Sequence, residues 1–435
     1  MMLDRRKFLG ALTAAPLLAQ PARPNVIVFL TDDLGYADIG CYGAKDIKTP
    51  HIDRLAKEGA KLPDFYSNGP VCTPTRAGLM TGRYQQRFGL EWAFGPGNKS
   101  WGLEAKHNTV ARYLKNSGYK TAMYGKWHLG YDAQYGPNAH GFDEFFGLLS
   151  GNVDFYSHQE VNGEHDLYEN TTPVKKEGYL TELLADRAEK FVSQQSAGQP
   201  FFLYVAFNGV HWPFQAPGRP QDVRNRQTWF DGTRADYARM VESVDTAVGR
   251  VLKQLDERGL TRDTMVIFTN DNGGERLSDN RPWFHHKATL WEGGIKVPAL
   301  VRWPARIKPS QNITQTAISM DLTATILAAC GVQPAADQPL DGLDLLPFLT
   351  GQRPPVDRTL FWRIDRADRK TKAVRMGKWK FQRDGAIDVL YDLTKDPGER
   401  VEMGYAHPEI VTEAKKRIAA WEADLAKDPP PKSVK

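Results

Sequence analysis

The sequence predicts an α/β protein in which helices sandwich a large mixed, mainly parallel sheet, followed by a smaller C-terminal antiparallel sheet plus helix. Apolar, β-branched runs alternate with amphipathic helical segments as far as about residue 340. Continuous runs of this kind are typical of strands buried on both faces of a parallel sheet. Beyond residue 340 the runs become shorter and are joined by turns, which favours an antiparallel sheet.

The first 22 residues are predicted to be an export signal rather than part of the fold. Arg5-Arg6 precedes an apolar run, Ala11–Ala19, that is too short to span a bilayer. The pattern Arg-Arg-x-Phe-Leu resembles a twin-arginine signal, and an ordinary Sec signal is the alternative. Both routes predict a periplasmic or secreted protein, and the first predicts the twin-arginine export machinery as a partner. No later segment has the length and hydropathy of a transmembrane helix.

The first strand is the run Asn25–Thr31, which ends in two aspartates. Further strands of the large sheet are predicted at 120–124, 201–207, 264–269 and 299–303. Helices are predicted where cap residues, apolar periodicity and glycine stops coincide. They cover residues 49–59, 72–82, 109–117, 179–194, 236–258 and 321–330. The polar section 131–173 shows neither the period of a strand nor that of a helix, and this predicts long loops.

The C-terminal part has a different sequence pattern. Short strands are predicted at 359–364, 373–376, 379–382 and 389–393, with a helix at 408–426. We therefore predict a catalytic domain at 23–340, a C-terminal α+β subdomain at 341–428 and a disordered, proline-rich tail at 429–435.

Composition excludes several classes of protein. The net charge of +5 is small for 435 residues, and no Lys/Arg run of the kind that binds nucleic acid is present. The three cysteines, Cys41, Cys72 and Cys330, cannot form a disulfide framework, although a Cys41–Cys330 bridge stays open.

Cys72 lies in the pattern Cys-x-Pro-x-Arg. Pro74 suits the first turn of a helix, so Cys72 is expected at the positive end of the helix dipole, where anions bind. Arg76, one turn later, can reach the same place. The pattern indicates a reactive side chain in an anion site, and a cysteine that only caps the helix is the alternative.

Four predicted strands end in chemically active residues. In chain order these are Asp32 and Asp33, Lys126 and His128, His211, and Asp271 and Asn272. The carboxyl ends of parallel strands share one edge of a sheet, so these side chains are expected in a single site. The oxygen ligands among them suit Ca²⁺ or Mg²⁺ rather than Zn²⁺, unless the aspartates serve only as turn or cap residues. With Arg76, Lys126, Lys287 and a divalent cation, the site is positive by about two charges and favours an anion.

Together these motifs resemble those of the type I sulfatases of the alkaline phosphatase superfamily. The resemblance runs from about Pro24 to Glu402, and its first third is most similar to arylsulfatase A and N-acetylgalactosamine-6-sulfatase types. The matching segments are 31–36, 72–76, 125–128, 270–273, 291–298 and 390–399. His285-His286 before Lys287 replaces the smaller residues expected there.

The resemblance implies hydrolysis of a sulfate monoester. It implies that a formylglycine-generating maturation enzyme oxidises Cys72 to Cα-formylglycine, whose hydrate attacks sulfur. It also implies a bound Ca²⁺, in preference to Mg²⁺. The implied metal ligands are Asp32, Asp33, residue 72 itself, Asp271 and Asn272.

The resemblance also implies catalytic roles for individual residues. Arg76 supports the diol, and Lys126 and Lys287 hold sulfate oxygens. His211 with Lys287 protonates the leaving oxygen, and His128 deprotonates the second hydroxyl of the diol.

The expected substrate is a sulfated saccharide or an aryl sulfate, with sulfated galactose or N-acetylgalactosamine as the leading hypothesis. Trp283 and His286 are predicted to bind it, and Trp212, His285, Asp154 and His158 are further rim candidates. The alternatives are a phosphodiesterase or phosphonate monoester hydrolase of the same superfamily, and a non-catalytic glycan-binding relative. A two-zinc phosphatase is disfavoured because no second set of His/Asp ligands is found.

Overall fold

A computed structural model describes residues 23–95, 101–220 and 226–427. The predicted export signal and the predicted disordered tail lie outside the described residues. The strands are β1 Asn25–Thr31, β2 Ala60–Lys61, β3 Phe65–Tyr66, β4 Lys120–Lys126, β5 Glu144–Leu148, β6 Tyr168–Glu169, β7 Thr172–Pro173, β8 Phe201–Ala206, β9 Thr264–Asn270, β10 Ala299–Arg302, β11 Gln311–Asn312, β12 Ala317–Ile318, β13 Thr359–Asp365, β14 Lys370–Met376, β15 Trp379–Asp384 and β16 Ile387–Asp392. The α-helices are α1 Pro50–Glu58, α2 Cys72–Thr81, α3 Val110–Asn116, α4 Leu180–Ser193, α5 Arg234–Glu257, α6 Glu292–Ile295, α7 Met320–Cys330, α8 Leu346–Leu349 and α9 Pro408–Leu425.

The central sheet has ten strands in the order β11-β2-β10-β9-β1-β8-β4-β5-β6-β7. Its middle is parallel: β1 pairs with β8 and β9, β8 pairs with β4, and β4 pairs with β5. Every residue of β1, β8 and β9 is buried, which explains why these strands are continuously apolar. The predicted mixed, mainly parallel sheet is confirmed.

Helices cover both faces of this sheet. Alternate residues of β1 face opposite sides: Val26 and Val28 join the core that contains α2, α3 and α7, whereas Ile27 and Phe29 join the core that contains α1, α4 and α5. This alternation follows from the two-residue period of a strand. The two cores hold the sheet rigidly between layers, and its strand ends therefore form a fixed platform.

The C-terminal part forms a separate four-stranded antiparallel sheet in the order β13-β14-β15-β16, with α9 packed against β14. The predicted antiparallel sheet and helix are confirmed, and the boundary at residue 340 stays a prediction. Trp362 on β13 donates from its indole Nε1 to the carbonyl oxygen of Ser67, at 2.8 Å, and so joins this sheet to the larger layer.

The prediction of loops alone over 131–173 was wrong. This section contains β5, which extends the central sheet, and the short strands β6 and β7. The run Phe145-Phe146-Gly147-Leu148 is short and contains a glycine, which sequence reasoning counts against a strand. In the fold that glycine is required, because a Cβ at Gly147 would lie 2.0 Å from the carbonyl oxygen of Gly125 on β4.

All three cysteines are free thiols, so the Cys41–Cys330 bridge that the sequence left open is not formed. None of the helices in the described residues is long and apolar enough to cross a membrane.

Candidate active site

The site lies where four neighbouring strands end. β9, β1, β8 and β4 are adjacent in the sheet, and the chain leaves their carboxyl ends through Asp271, Asp32, His211 and Lys126. Each of these side chains is buried. The single site predicted from the strand ends is thus formed in space, with residues far apart in sequence brought together by the strand order.

Cys72 is the first residue of α2, as the pattern around Pro74 predicts. Val71 is the extended N-cap residue, and Gly82 ends the helix with a left-handed φ of 68°. The Cys72 Sγ lies 3.4 Å from Asp32 Oδ1. Burial, and next the charge of Asp32, raise the pKa of the Cys72 thiol well above its usual value, so the unmodified side chain is a neutral thiol.

Three acids and three bases around Cys72 are paired with one another, and we call these six residues the strand-end cluster. Lys126 Nζ lies 2.5 Å from Asp32 Oδ2, and Lys287 Nζ lies 2.6 Å from Asp33 Oδ2. Arg76 donates from Nη2 to Asp271 Oδ2 at 2.8 Å and from Nε at 3.1 Å. The charges of the cluster therefore balance in number before any cation or substrate is added.

The pKa values of the acids differ because their partners differ. Burial alone would raise the pKa of Asp33, but Lys287, His211 and Lys126 hold it at about 2. Burial and the charge of Asp32 raise the pKa of Asp271 to about 6, despite Arg76. Asp33 also has a left-handed φ of 61°, an unfavourable backbone conformation for a residue with a side chain.

Both histidines are buried next to cations. His211 places Nδ1 at 2.6 Å from the carbonyl oxygen of Trp212 and Nε2 at 3.4 Å from Asp33 Oδ2. Burial, and next Lys287, lower its pKa to about 3. Burial, Lys126 and Arg76 lower the pKa of His128 well below its usual value, and its Nδ1 has no hydrogen-bond partner.

Part of the site fits a hard divalent cation. Asp32, Asp33, Cys72 and His211 each offer a ligand atom, and these atoms all lie within 4.8 Å of one another. Asn272 adds a buried Oδ1 with no hydrogen-bond partner, while its Nδ2 donates to Asp33 Oδ1 at 2.6 Å. Carboxylate and amide oxygens are ligands of Ca²⁺ and Mg²⁺.

The family models match nearly the whole of the described chain. Residues 24–332 match the Sulfatase family, and residues 280–424 match the family described as N-sulphoglucosamine sulphohydrolase, C-terminal. The chain belongs to the sulfatase family. It is accordingly a sulfuric ester hydrolase.

Individual sulfatases are similar over almost their full length. N-acetylgalactosamine-6-sulfatase of Canis lupus familiaris is 33% identical over 93% of this chain and 87% of its own length. Arylsulfatase A of Homo sapiens is 32% identical over 97% of this chain and 91% of its own length. The crystal structure of Ps i-CgsB in complex with k-i-k-neocarrahexaose superposes with a TM-score of 0.83 at 30% identity, covering 92% of each chain.

In this sulfatase, a cleft of about 910 Å³ is lined mainly by residues between 275 and 286 and by none of the six residues of the strand-end cluster. Glu275 connects the two, because it also borders a small void that Asp33 lines. Trp283, His285 and His286 line the large cleft, and their contact with substrate stays a prediction. Asp154 and His158 do not line it. Both are buried, and Asp154 instead accepts a hydrogen bond from the backbone N–H of Tyr156 at 2.8 Å, which stabilises a turn.

Trp212 lies near the site but does not line the large cleft. Its ring packs against His211, with the ring centroids 4.5 Å apart, and it borders a small void beside the large cleft.

Sequence reasoning missed Glu275, which borders both the small void and the large cleft. The available signal was an acidic residue immediately after Asn270-Asp271-Asn272-Gly273-Gly274, in the loop that returns to Lys287.

Proposed function

We propose that this sulfatase hydrolyses sulfate monoesters carried by a carbohydrate, with a nucleophile derived from Cys72 and a divalent cation. The observation that carries the proposal is the strand-end cluster, whose three acids and three bases surround residue 72 at the start of a buried helix. The carbohydrate is supported by similarity to N-acetylgalactosamine-6-sulfatase and to Ps i-CgsB, which was solved with a neocarrahexaose. Sulfated galactose or N-acetylgalactosamine is the leading hypothesis.

Cys72 is the residue that a maturation enzyme would convert to Cα-formylglycine, and the hydrate of this aldehyde would supply the attacking oxygen. Asp32, Asp33, Asp271 and Asn272, with residue 72, would hold the cation, Ca²⁺ in preference to Mg²⁺, which would supply positive charge beside the sulfate oxygens. Because the six charges of the cluster balance, a divalent cation leaves an excess of about two positive charges, which favours an anion.

The lysines and Arg76 position the reacting groups. Lys126 and Lys287 reach the site from different segments, and each ammonium group can donate to a sulfate oxygen as negative charge develops there. Arg76 orients Asp271 through two hydrogen bonds and donates from Nη1 to the carbonyl oxygen of Lys126, at 2.8 Å. It thus holds the ends of β9 and β4 in register with residue 72.

Two histidines would move protons. His211 places Nε2 at 3.4 Å from Asp33 Oδ2 and would donate a proton to the leaving sugar oxygen, assisted by Lys287. His128 has an unpartnered Nδ1 and would take the proton that accompanies release of sulfate. Burial, and next the neighbouring cations, lower the pKa of both histidines and so favour their neutral form before an anion enters.

The test combines mass analysis with kinetics. The peptide that contains Cys72 should carry an aldehyde or its hydrate, and Cys72→Ala should abolish hydrolysis of sulfate esters without loss of the fold. Cys72→Ser should behave in the same way in a host that modifies only cysteine. Full activity with an unmodified thiol overturns the mechanism.

The same preparation should be assayed on phosphate diesters and phosphonate monoesters. A kcat/KM on these esters above that on sulfate esters would favour a phosphodiesterase or phosphonate monoester hydrolase. Binding of glycan without turnover by modified enzyme would favour a non-catalytic relative. We also propose that the chain is exported, on the basis of the signal in residues 1–22.

A further inference from the structure

Glu275 lies in a loop whose backbone is held by its own hydrogen bonds. The backbone N–H of Ser278 donates to the carbonyl oxygen of Glu275 at 2.8 Å. The side chain of Asn280 binds both the N–H and the carbonyl oxygen of Gly274, at 3.0 Å each. The backbone from which the Glu275 side chain extends is therefore held by these hydrogen bonds.

The side chain of Glu275 is half-buried between two spaces. On one side it borders the small void shared with Asp33 and Trp212, and on the other it lines the large cleft. Burial and the charge of Asp33 raise its pKa, whereas Lys287 and Trp212 lower it. It lies, therefore, where the cleft meets the strand-end cluster.

Glu275 differs from the other described acids of the cleft because no described cation lies within ion-pair distance of it, although Lys287 is near enough to lower its pKa. Asp46 pairs with Arg234 at 2.8 Å, and Asp279 pairs with Arg281 at 2.5 Å. In the ranges that the structure covers, Glu275 forms no ion pair, and its Oε2 is buried without a hydrogen-bond partner. A buried carboxyl oxygen without a donor is unfavourable, so a ligand that brings a donor gains affinity there.

The sugar of a sulfate monoester carries hydroxyl groups on the carbons beside the ester. We propose that Glu275 accepts a hydrogen bond from a hydroxyl or N–H group of the sugar that bears the sulfate, and so selects neutral donor groups over a second anion at that position. This proposal rests on the proposed function. It makes Glu275 a specificity-determining residue, distinct from the groups that hold sulfate.

The test is a cycle of enzyme variants and substrate analogues. The probes are 4-nitrophenyl sulfate, the mono-O-sulfates of galactose and N-acetylgalactosamine, and deoxy analogues of the sulfate that the wild type hydrolyses best. Glu275→Ala should lower kcat/KM on that sugar by about 30-fold, and on 4-nitrophenyl sulfate by less than about 3-fold. Glu275→Gln, which keeps an acceptor oxygen, should lose less.

The decisive measurement is whether the effect of the variant and the effect of the deoxy analogue are coupled. One deoxy analogue should be about 30-fold poorer for the wild type, and Glu275→Ala should lose nothing further on it. Additive losses, or equal losses on the sugar and on 4-nitrophenyl sulfate, would show that Glu275 acts through its neighbours or not at all. Glu409→Gln, an exposed change in α9, is the matched control, and thermal denaturation checks the fold of each variant.

The two proposals fail differently. If the wild type hydrolyses 4-nitrophenyl sulfate but none of the sugar sulfates, the role of Glu275 is overturned and sulfate ester hydrolysis stands. If enzyme that carries the aldehyde hydrolyses no sulfate ester, the proposed function is overturned and the role of Glu275 with it.

Discussion

Two ionic clusters of the same size lie among the described residues, and only one of them lies at the carboxyl ends of the central parallel strands. The strand-end cluster has three acids and three bases. A second set, which we call the junction cluster, lies between the central and C-terminal sheets and also has three of each. Its members are Asp64, Glu292 and Glu399, with Lys296, Arg375 and Lys380.

The acids and bases of the junction cluster are paired with one another. Glu292 accepts from Tyr66 at 2.6 Å and from Lys380 at 2.9 Å, and Lys380 also pairs with Glu399 at 2.8 Å. Arg375 of the C-terminal sheet pairs with Asp64 at 2.5 Å. These contacts join two layers of the fold, and none of the six residues lines the large cleft.

The strand-end cluster is balanced in charge, and unpartnered polar atoms lie on its neighbours rather than on its six members. Asn272 Oδ1 and His128 Nδ1 are buried without partners, and Glu275 beside the cluster has an unpartnered oxygen. Burial of paired charge is therefore common to a structural junction and to a site. What distinguishes the site is its position at the ends of four strands, next to a loop whose Glu275 also lines the large cleft.

The same substitution in both clusters tests this difference most strongly. Asp32→Asn should lower activity by about 10³-fold or more and remove the bound cation, because one carboxylate ligand is lost. Asp64→Asn should leave the activity of folded enzyme within about 3-fold and lower the melting temperature. Metal analysis, kinetics and thermal denaturation of both variants provide the check. Full activity of Asp32→Asn after exhaustive chelation would break the comparison.

Removing the central cation of the junction should affect stability rather than catalysis. Lys380→Met leaves Glu399 buried without its paired cation and leaves Glu292 with only Lys296, at 3.5 Å, so we expect a loss of about 3–5 kcal/mol in the free energy of unfolding. Lys378→Met is the matched control, because that lysine is half-exposed and should cost no more than about 1 kcal/mol. Denaturant unfolding measures both, and equal losses would contradict the assignment of Lys380.

A leaving-group test sharpens the role of the strand-end histidines. His211→Ala should lose about 10²-fold on a sulfated sugar and much less on 4-nitrophenyl sulfate, because a sugar alkoxide needs a proton to leave and a nitrophenolate does not. His128→Ala should slow both substrates equally. Steady-state and single-turnover kinetics with the two esters measure these effects. Equal losses for His211→Ala on both esters would show that another residue is the general acid.

The smallest expected effect is a pH dependence of the stability that the junction cluster contributes. Burial above all, and also Glu292, raise the pKa of Glu399 to about 7 in the fold, although Lys380 opposes this. The protonated form is thus favoured by folding. Its contribution to stability should be complete below the pKa of the unfolded chain and lost as pH rises through about 7. Unfolding free energies of wild type and Glu399→Gln, compared from pH 4 to 8, should diverge; a constant difference would contradict this titration.

The sequence by itself determined the long central strands and helices and which polar residues follow the strands. Continuous apolar runs identify the parallel strands, because only a strand buried on both faces tolerates them. Each run is followed directly by its polar residues, so Asp32, Lys126 and Asp271 could be assigned to strand ends. The start of α2 at Cys72 followed from Pro74 and from the glycine stop.

Only the tertiary structure decided which side chains meet. The strand order β9-β1-β8-β4 places Asp271 and Lys126 on either side of Asp32, although 239 and 94 residues separate them from it along the chain. Lateral order depends on non-local packing, which local patterns do not encode. For the same reason β5 was missed, since Gly147 belongs to a strand only because it lies against Gly125. The role of Glu275 likewise depends on which acids of the cleft are left without a cation.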